Sequence, residues 1–215
     1  MATVYETTLV PSKLDLLATW LPTRAWYTGA GGAPHLEKVG GFRLDDPEGE
    51  VGIEFMAATD TAGDRPRTYH VPMTYRGAPL DGAEEALIGT TEHGVLGTRW
   101  VYDGTRDPVL VERLCALLLG RAEPQAQSQS DTPNPAVTRS FAMAAAALEP
   151  VEVGDGPGGT DILVRADGGA VTVRVLRALR PDDEEPDALG EVSAPWRTPE
   201  GEVRGRYVVA LRGAT

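Results

Sequence analysis

The sequence predicts an α+β protein: a curved antiparallel sheet with helices packed on it, followed by a smaller β-rich unit. Three observations carry that prediction. Thr68 to Arg76 alternates strictly, with Tyr69, Val71, Met73 and Tyr75 on one side and His70, Pro72, Thr74 and Arg76 on the other, the period of a half-buried strand. Thr98 to Tyr102 repeats the pattern and ends at the turn dipeptide Asp103-Gly104. Asp107 and Pro108 then supply an N-cap and a first helical position. Leu110, Val111, Leu114, Cys115 and Leu118 follow at helical spacing, and Gly120 stops the helix.

The remaining elements fall in order around this unit. Residues 2–10 read as an opening strand. Ser12 caps a short helix, with Asp15 completing a capping box and Leu14, Leu17, Ala18 and Leu21 on one face. A Gly-rich loop, TRAWYTGAGGAPH, carries Trp26 and Tyr27. Strands over 35–44 and 51–59 are joined by the polar hairpin DDPEGE, the second alternating Val51, Ile53, Phe55 and Ala57. This first unit covers residues 1–120. Residues 121–136, which begin RAEPQAQSQSDTPNP, are rich in Pro, Gln and Ser and read as a linker. The unit at 137–215 has strands at 162–166, 171–176 and 206–212. Asp167-Gly168-Gly169 joins the first two as a hairpin, and the alanine-rich stretch near 140–147 is its only helical candidate.

Composition narrows the function classes. The 215 residues are 41% hydrophobic and 24% charged, ordinary for a soluble globular chain with a real core. The net charge of -12 repels phosphate backbones and anionic lipid, so neither nucleic acid nor membrane is expected as a partner. No basic apolar leader and no eighteen-residue apolar run occur, so a cytoplasmic location is expected. Cys115 stands alone on its helix stripe and reads as a buried structural thiol.

Motifs for chemistry are sparse. GDGPGGTD (154–161) offers backbone N–H groups, yet a strand follows it, without the Gly-Lys-Ser/Thr and helix of a P-loop. The TGAGGAP loop lacks the strand-turn-helix setting of a dinucleotide site. His35, His70 and His93 lie on separate elements with no metal-ligand spacing, and the acidic runs LDDPEGE and PDDEEPD lack the pattern of a calcium loop. No Gly-x-Ser-x-Gly elbow is present. Neither a catalytic residue, a cofactor nor a metal site is assigned. Trp100 and Tyr102 alternate on one strand face and read as core, whereas Trp26 and Tyr27 beside the Gly-rich loop are the candidates for a partner or sugar contact.

Three stretches carry a family resemblance: WLPTRAWYTG (20–29), YHVPMTYR (69–76) and LIGTTEHGVLGTRWVYDGTRDPV (87–109). Together they resemble the N-terminal cap domain of actinobacterial maltokinases and related aminoglycoside-kinase-like sugar kinases, over roughly residues 3–120. More weakly, VEVGDGPGGTDILVRADGGAVTVRVLR resembles the upper nucleotide-binding layer of those kinases. The resemblance implies vestigial nucleotide-binding positions at Gly156, Gly158, Gly159 and Arg174, the last where the family pattern calls for lysine. It also implies a catalytic lobe that would begin near Thr215. No His-x-Asp loop and no Asp-Phe-Gly motif occur in the chain, so it is not expected to transfer a phosphoryl group by itself. The expectation is a non-catalytic accessory or regulatory binding module in α-glucan, maltose or trehalose metabolism, with a sugar kinase or glucan-metabolising enzyme as protein partner. The alternative is part of a sugar kinase or glucan-processing enzyme completed by a catalytic lobe on another chain. The oligomeric state is open.

Overall fold

A computed structural model describes residues 8–29, 31–129, 131–156, 158–181 and 187–213. Most of the expected strand at 2–10 and the acidic loop 182–186 lie outside the described residues. Within them the molecule is built on one large antiparallel sheet, and two α-helices of 8 and 11 residues are the only α-helices. The α+β expectation is therefore corrected: this is a mostly β protein. Two causes are visible. The stretch read as helical near 140–147 overlaps only the end of strand β7 (Thr138–Phe141), and its alanines, within 142–147, run as irregular chain, not a helix. Strands β5 (Leu87–His93), β8 (Glu149–Gly156) and β11 (Gly190–Thr198) add to those read from periodicity. Their glycines and prolines mask the alternation, and pairing supplies the strand geometry that propensity does not.

The first half comprises β1 (Leu9–Val10), α1 (Lys13–Trp20), β2 (Leu36–Leu44), β3 (Gly52–Asp60), β4 (Arg67–Arg76), β5, β6 (Gly97–Asp103) and α2 (Pro108–Leu118). The second adds β7, β8, β9 (Gly159–Ala166), β10 (Gly169–Val175), β11 and β12 (Gly201–Arg212). The strand order is β1-β5-β6-β4-β3-β2-β11-β12-β10-β9-β8, with β7 paired to β11. The two halves thus share one sheet, joined where Trp196 of β11 faces Gly40 of β2.

Local chemistry sets these elements. Ser12 caps α1, its hydroxyl accepting from Asp15 N while Asp15 accepts from Ser12 N. The β2–β3 hairpin closes on Asp46, whose carboxylate accepts from Glu48, Glu50 and Val51 N at 2.9–3.1 Å, with Gly49 at φ +74°. Within the expected linker, Gln125 bridges to β2: Arg43 N donates to Gln125 O (3.0 Å) and Gln125 N returns a bond to Arg43 O (2.9 Å).

The core explains the burial of β3 and β4. On one face of these strands Met56, Val71 and Met73 meet Leu17, Trp20 and Leu21 of the α1 region. On the other face Phe55 joins Phe42, the leucines of α2 and Trp196, Tyr207 and Val208 of the second half. The strand at 67–76 is therefore covered on both sides, not half-buried: His70 and Thr74 are fully inaccessible. Burying each aliphatic side chain of α2 stabilises the fold by about 2 kcal/mol.

Candidate functional site

Four polar or aromatic constellations stand out. The first surrounds Trp26 and Tyr27. Trp26 meets Trp20 edge-on at 5.8 Å and tilts against Tyr69 at 6.3 Å, while Tyr27 lies 5.0 Å from Tyr69. Tyr27 Oη donates to Asp60 Oδ2 (2.6 Å), and Tyr69 Oη accepts from Thr28 N (3.2 Å). Burial and then the Asp60 carboxylate push the Tyr27 phenol above its ordinary pKa, so it stays protonated as a donor. Both aromatics are half-buried, and the guanidinium of Arg177 lies over the Trp26 ring at 4.9 Å. The two positions read as partner or sugar contacts thus sit together in an aromatic cluster at the α1 end of the sheet.

The second constellation contains the four positions read as vestigial nucleotide contacts. Gly156 faces Gly159 across the tip of the β8–β9 hairpin. Gly159, at φ +145°, passes so close to β10 that a Cβ would stand 2.1 Å from Val175 O. A Cβ on Gly158 would approach Arg174 Nη1 at 3.3 Å. The structure therefore brings these residues together, but Arg174 is engaged by its cross-strand neighbour. Its Nε and Nη2 donate to the two carboxylate oxygens of Asp161 at 2.7 and 2.8 Å.

The third follows β6. Asp103 Oδ1 accepts from Thr105 N (3.1 Å) and Thr105 Oγ1 (2.8 Å), and its Oδ2 accepts from Arg177 Nη2 at 2.5 Å. Arg177, 1% exposed, also donates to Thr105 Oγ1 (3.0 Å) and from Nε to Thr160 Oγ1 (2.8 Å). Arg106 Nη1 donates to Val153 O (2.6 Å). Asp107 caps α2 through Val109 N (3.0 Å) and receives Arg76 Nε and Nη2 at 2.6 and 2.7 Å. So every polar residue of DGTRD is committed to holding α2 or the second half in place. His70 lies close by, its Nδ1 3.0 Å from Leu176 O and its ring edge-on to Tyr207 at 4.7 Å. Burial, and then the charge of Arg177, lower its pKa to about 3, so it is neutral at pH 7.

The fourth was not legible as a site in the sequence. Glu54, 3% exposed on β3, accepts from Lys13 Nζ (2.5 Å), Lys38 Nζ (3.2 Å), Tyr75 Oη (2.8 Å) and Gln127 Nε2 (3.1 Å). Those are the only two lysines in the chain. Burial alone would raise the Glu54 pKa. Attraction to Lys13 and Lys38, with the hydrogen bonds of Lys13 and Tyr75, overcomes that and brings it down to about 2. The only available signal was that Lys13 and Lys38 are the sole lysines of an arginine-rich chain. No spacing rule places both on one glutamate.

Elsewhere the groups are structural. Cys115 is buried, and desolvation followed by Glu112 raises its thiol pKa to about 12, so it is no nucleophile. His35 pairs with Thr61, and His93 Nδ1 accepts from Val95 and Leu96 N. Among the described residues, no three His, Cys, Asp or Glu side chains gather to hold a metal, and no helix is long and apolar enough to cross a membrane.

No curated protein matches the chain. A family does: the maltokinase N-terminal cap domain, over residues 20–107. That span begins at the aromatic cluster and ends at the Asp107 cap, so it holds β2 to β6, with Lys38 and Glu54, and the DGTRD segment. Residues 20–107 are thus similar to the maltokinase N-terminal cap domain.

Proposed function

We propose that this protein is a non-catalytic cap-like module of maltose and α-glucan metabolism, acting by docking on a sugar kinase or glucan-metabolising enzyme. The observation that carries this reading is the cap-domain match over residues 20–107. Two features support it. The polar residues of DGTRD serve packing within the molecule, and so are not presented to a reacting group. Arg174, which the resemblance sets where a kinase places its phosphate-binding lysine, has its fork filled by Asp161. A guanidinium paired on both edges with a carboxylate offers a nucleotide phosphate much less than a compact, accessible ammonium.

The test is a pair of measurements on the purified chain. Titration with ATP and magnesium should leave its melting temperature unchanged, because a ligand that does not bind the folded state cannot stabilise it. Mixing with the catalytic lobe of a maltokinase-type enzyme should give a complex on size exclusion. Stabilisation by nucleotide, together with phosphorylation of maltose by the mixture, would instead establish the shared-enzyme alternative.

A further inference from the structure

The aromatic cluster at the α1 end of the sheet holds three hydrogen-bond donors with nothing to receive them. Among the described residues, Trp20 Nε1, Trp26 Nε1 and Arg177 Nη1 are inaccessible and lack an acceptor. Their side chains are neighbours: Trp20 meets Trp26 at 5.8 Å between ring centres, and the Arg177 guanidinium lies 4.9 Å over the Trp26 ring. Trp20 and Arg177 are 5% and 1% exposed, so water at the surface does not serve them. The acceptors around them are already filled. Asp103 takes Arg177 Nη2 and the Thr105 hydroxyl, and Asp60 takes Tyr27 Oη with the backbone N–H groups of His35 and Ala62. A buried donor left unpaired destabilises more than a formed bond stabilises, so the cluster favours whatever brings an acceptor to it.

Charge selects the kind of acceptor. Arg24 lies over the Trp20 ring at 5.0 Å, and Arg67 Nη1 donates to the hydroxyl of Thr28, whose backbone N–H binds Tyr69 Oη. Among the described residues neither of these guanidiniums pairs with a carboxylate. With Arg177, three guanidiniums stand against two carboxylates, Asp60 and Asp103, so the local charge is positive in a chain of net charge -12. A cation is repelled. A neutral hydroxyl would bring a proton that no free acceptor is left to take. A phosphate dianion has the right sign, but burying two charges costs far more than burying one, and the net charge of the chain adds to that. A carboxylate carries a single charge and acceptors only, which suits guanidinium and indole N–H donors together. We propose that Trp26, Arg177 and Trp20 form a carboxylate-binding site, entered beside Trp26, the half-buried member, with Arg24 and Arg67 drawing the anion in. The carboxylate belongs to a free small acid or to an Asp or Glu side chain of a docking partner. The inference stands on the unpaired donors and does not depend on the docking role above.

The experiment follows the indole N–H signals of the whole chain by nitrogen-15 NMR, in which Trp20, Trp26, Trp100 and Trp196 give one signal each. Sodium acetate is titrated at neutral pH against sodium chloride and sodium phosphate of equal ionic strength. Acetate should shift Trp26 and Trp20 saturably and leave Trp100 and Trp196 in place. R67Q changes an exposed side chain, so the fold is kept, and it should weaken acetate binding roughly fivefold. W26F keeps an aromatic ring and removes its N–H, and should weaken binding roughly tenfold as read at Trp20. The proposal is overturned if acetate does not saturate through the hundred-millimolar range, which would leave the donors to ordered water only. It is equally overturned if chloride or phosphate reproduces the shifts, or if R67Q and W26F bind acetate as the parent does. Adding the catalytic lobe of a maltokinase-type enzyme separates the two sources. Acetate binding lost on complex formation assigns the site to a side chain of the partner, binding retained assigns it to a free acid, and either outcome keeps the site. Failure to form that complex would sink the docking role and leave the acetate result standing by itself.

Discussion

Glu54 is the residue on which electrostatics acts most sharply. It is ionised, buried and tied to both lysines, so replacing it with glutamine removes the acceptor for two cations and costs on the order of 2 kcal/mol. Its pKa is about 2 in the fold against an ordinary 4.5. The stability it supplies is therefore complete above pH 4.5 and lost as pH falls towards 2. In urea melts, the difference between the parent and E54Q should be large at pH 7 and shrink below pH 4.5. A difference that stayed constant across that window would mean the carboxylate is not what the lysines stabilise. His70 adds an earlier step. Its pKa is about 3 in the fold and 6.5 when unfolded, so the unfolded chain takes up a proton that the native one refuses. From pH 7 to pH 5 this removes about 2 kcal/mol of stability. H70Q should flatten the pH dependence between those two values, and an unchanged slope would assign it to other groups.

At the scale of elements, α2 is the test case. Its first turn rests on one carboxylate that both caps Val109 N and holds Arg76. D107N keeps a capping oxygen and loses the charge, whereas D107A loses both. The expected order of stability is parent, D107N, D107A. The alanine variant should lie about 3 kcal/mol below the parent by denaturant melting, from one N-cap and one part-buried ion pair. Equal losses in the two variants would show that the cap contributes nothing. The helix itself was legible, because Asp107, Pro108 and the leucine stripe are local signals. Strands β5 and β11 were not: Gly89 and Pro195 interrupt their alternation, and only partners far along the chain make them strands. The expectation of a helix over the alanine-rich stretch failed for a similar reason. Residues 138–141 pair with β11 and Ala142 N donates to Leu189 O, so tertiary pairing holds the start of the stretch extended against helix propensity.

Across the whole molecule, Asp103, Thr105, Thr160 and Arg177 bind the two halves through a buried ion pair. R177M leaves the Asp103 carboxylate buried without its cation and should cost on the order of 3 kcal/mol or more. R177M combined with D103N should recover part of that loss, and the double-mutant cycle measures the coupling directly. Additive losses would show that the two groups act separately. Because a single sheet and a shared core run through both halves, tryptophan fluorescence and far-ultraviolet circular dichroism should report one coincident unfolding transition for the parent. Two separated transitions would mean that the halves are held together only loosely.

From the sequence alone came the short-range features: the Ser12 and Asp107 caps, the DDPEGE and DGG turns and the alternation of β3 and β4. Each of these depends on neighbours a few residues apart, where propensity and spacing act. The sequence also carried the resemblance of roughly residues 3–120 to a maltokinase cap, which the family match supports over 20–107. Tertiary structure alone decided that the class is mostly β, that the polar face of β4 is buried, and that both lysines converge on Glu54. It also decided that Arg174 meets Asp161 and that Gly40 meets Trp196. These features join residues up to 156 positions apart, from Gly40 to Trp196, and no local pattern encodes which distant strand will be the partner.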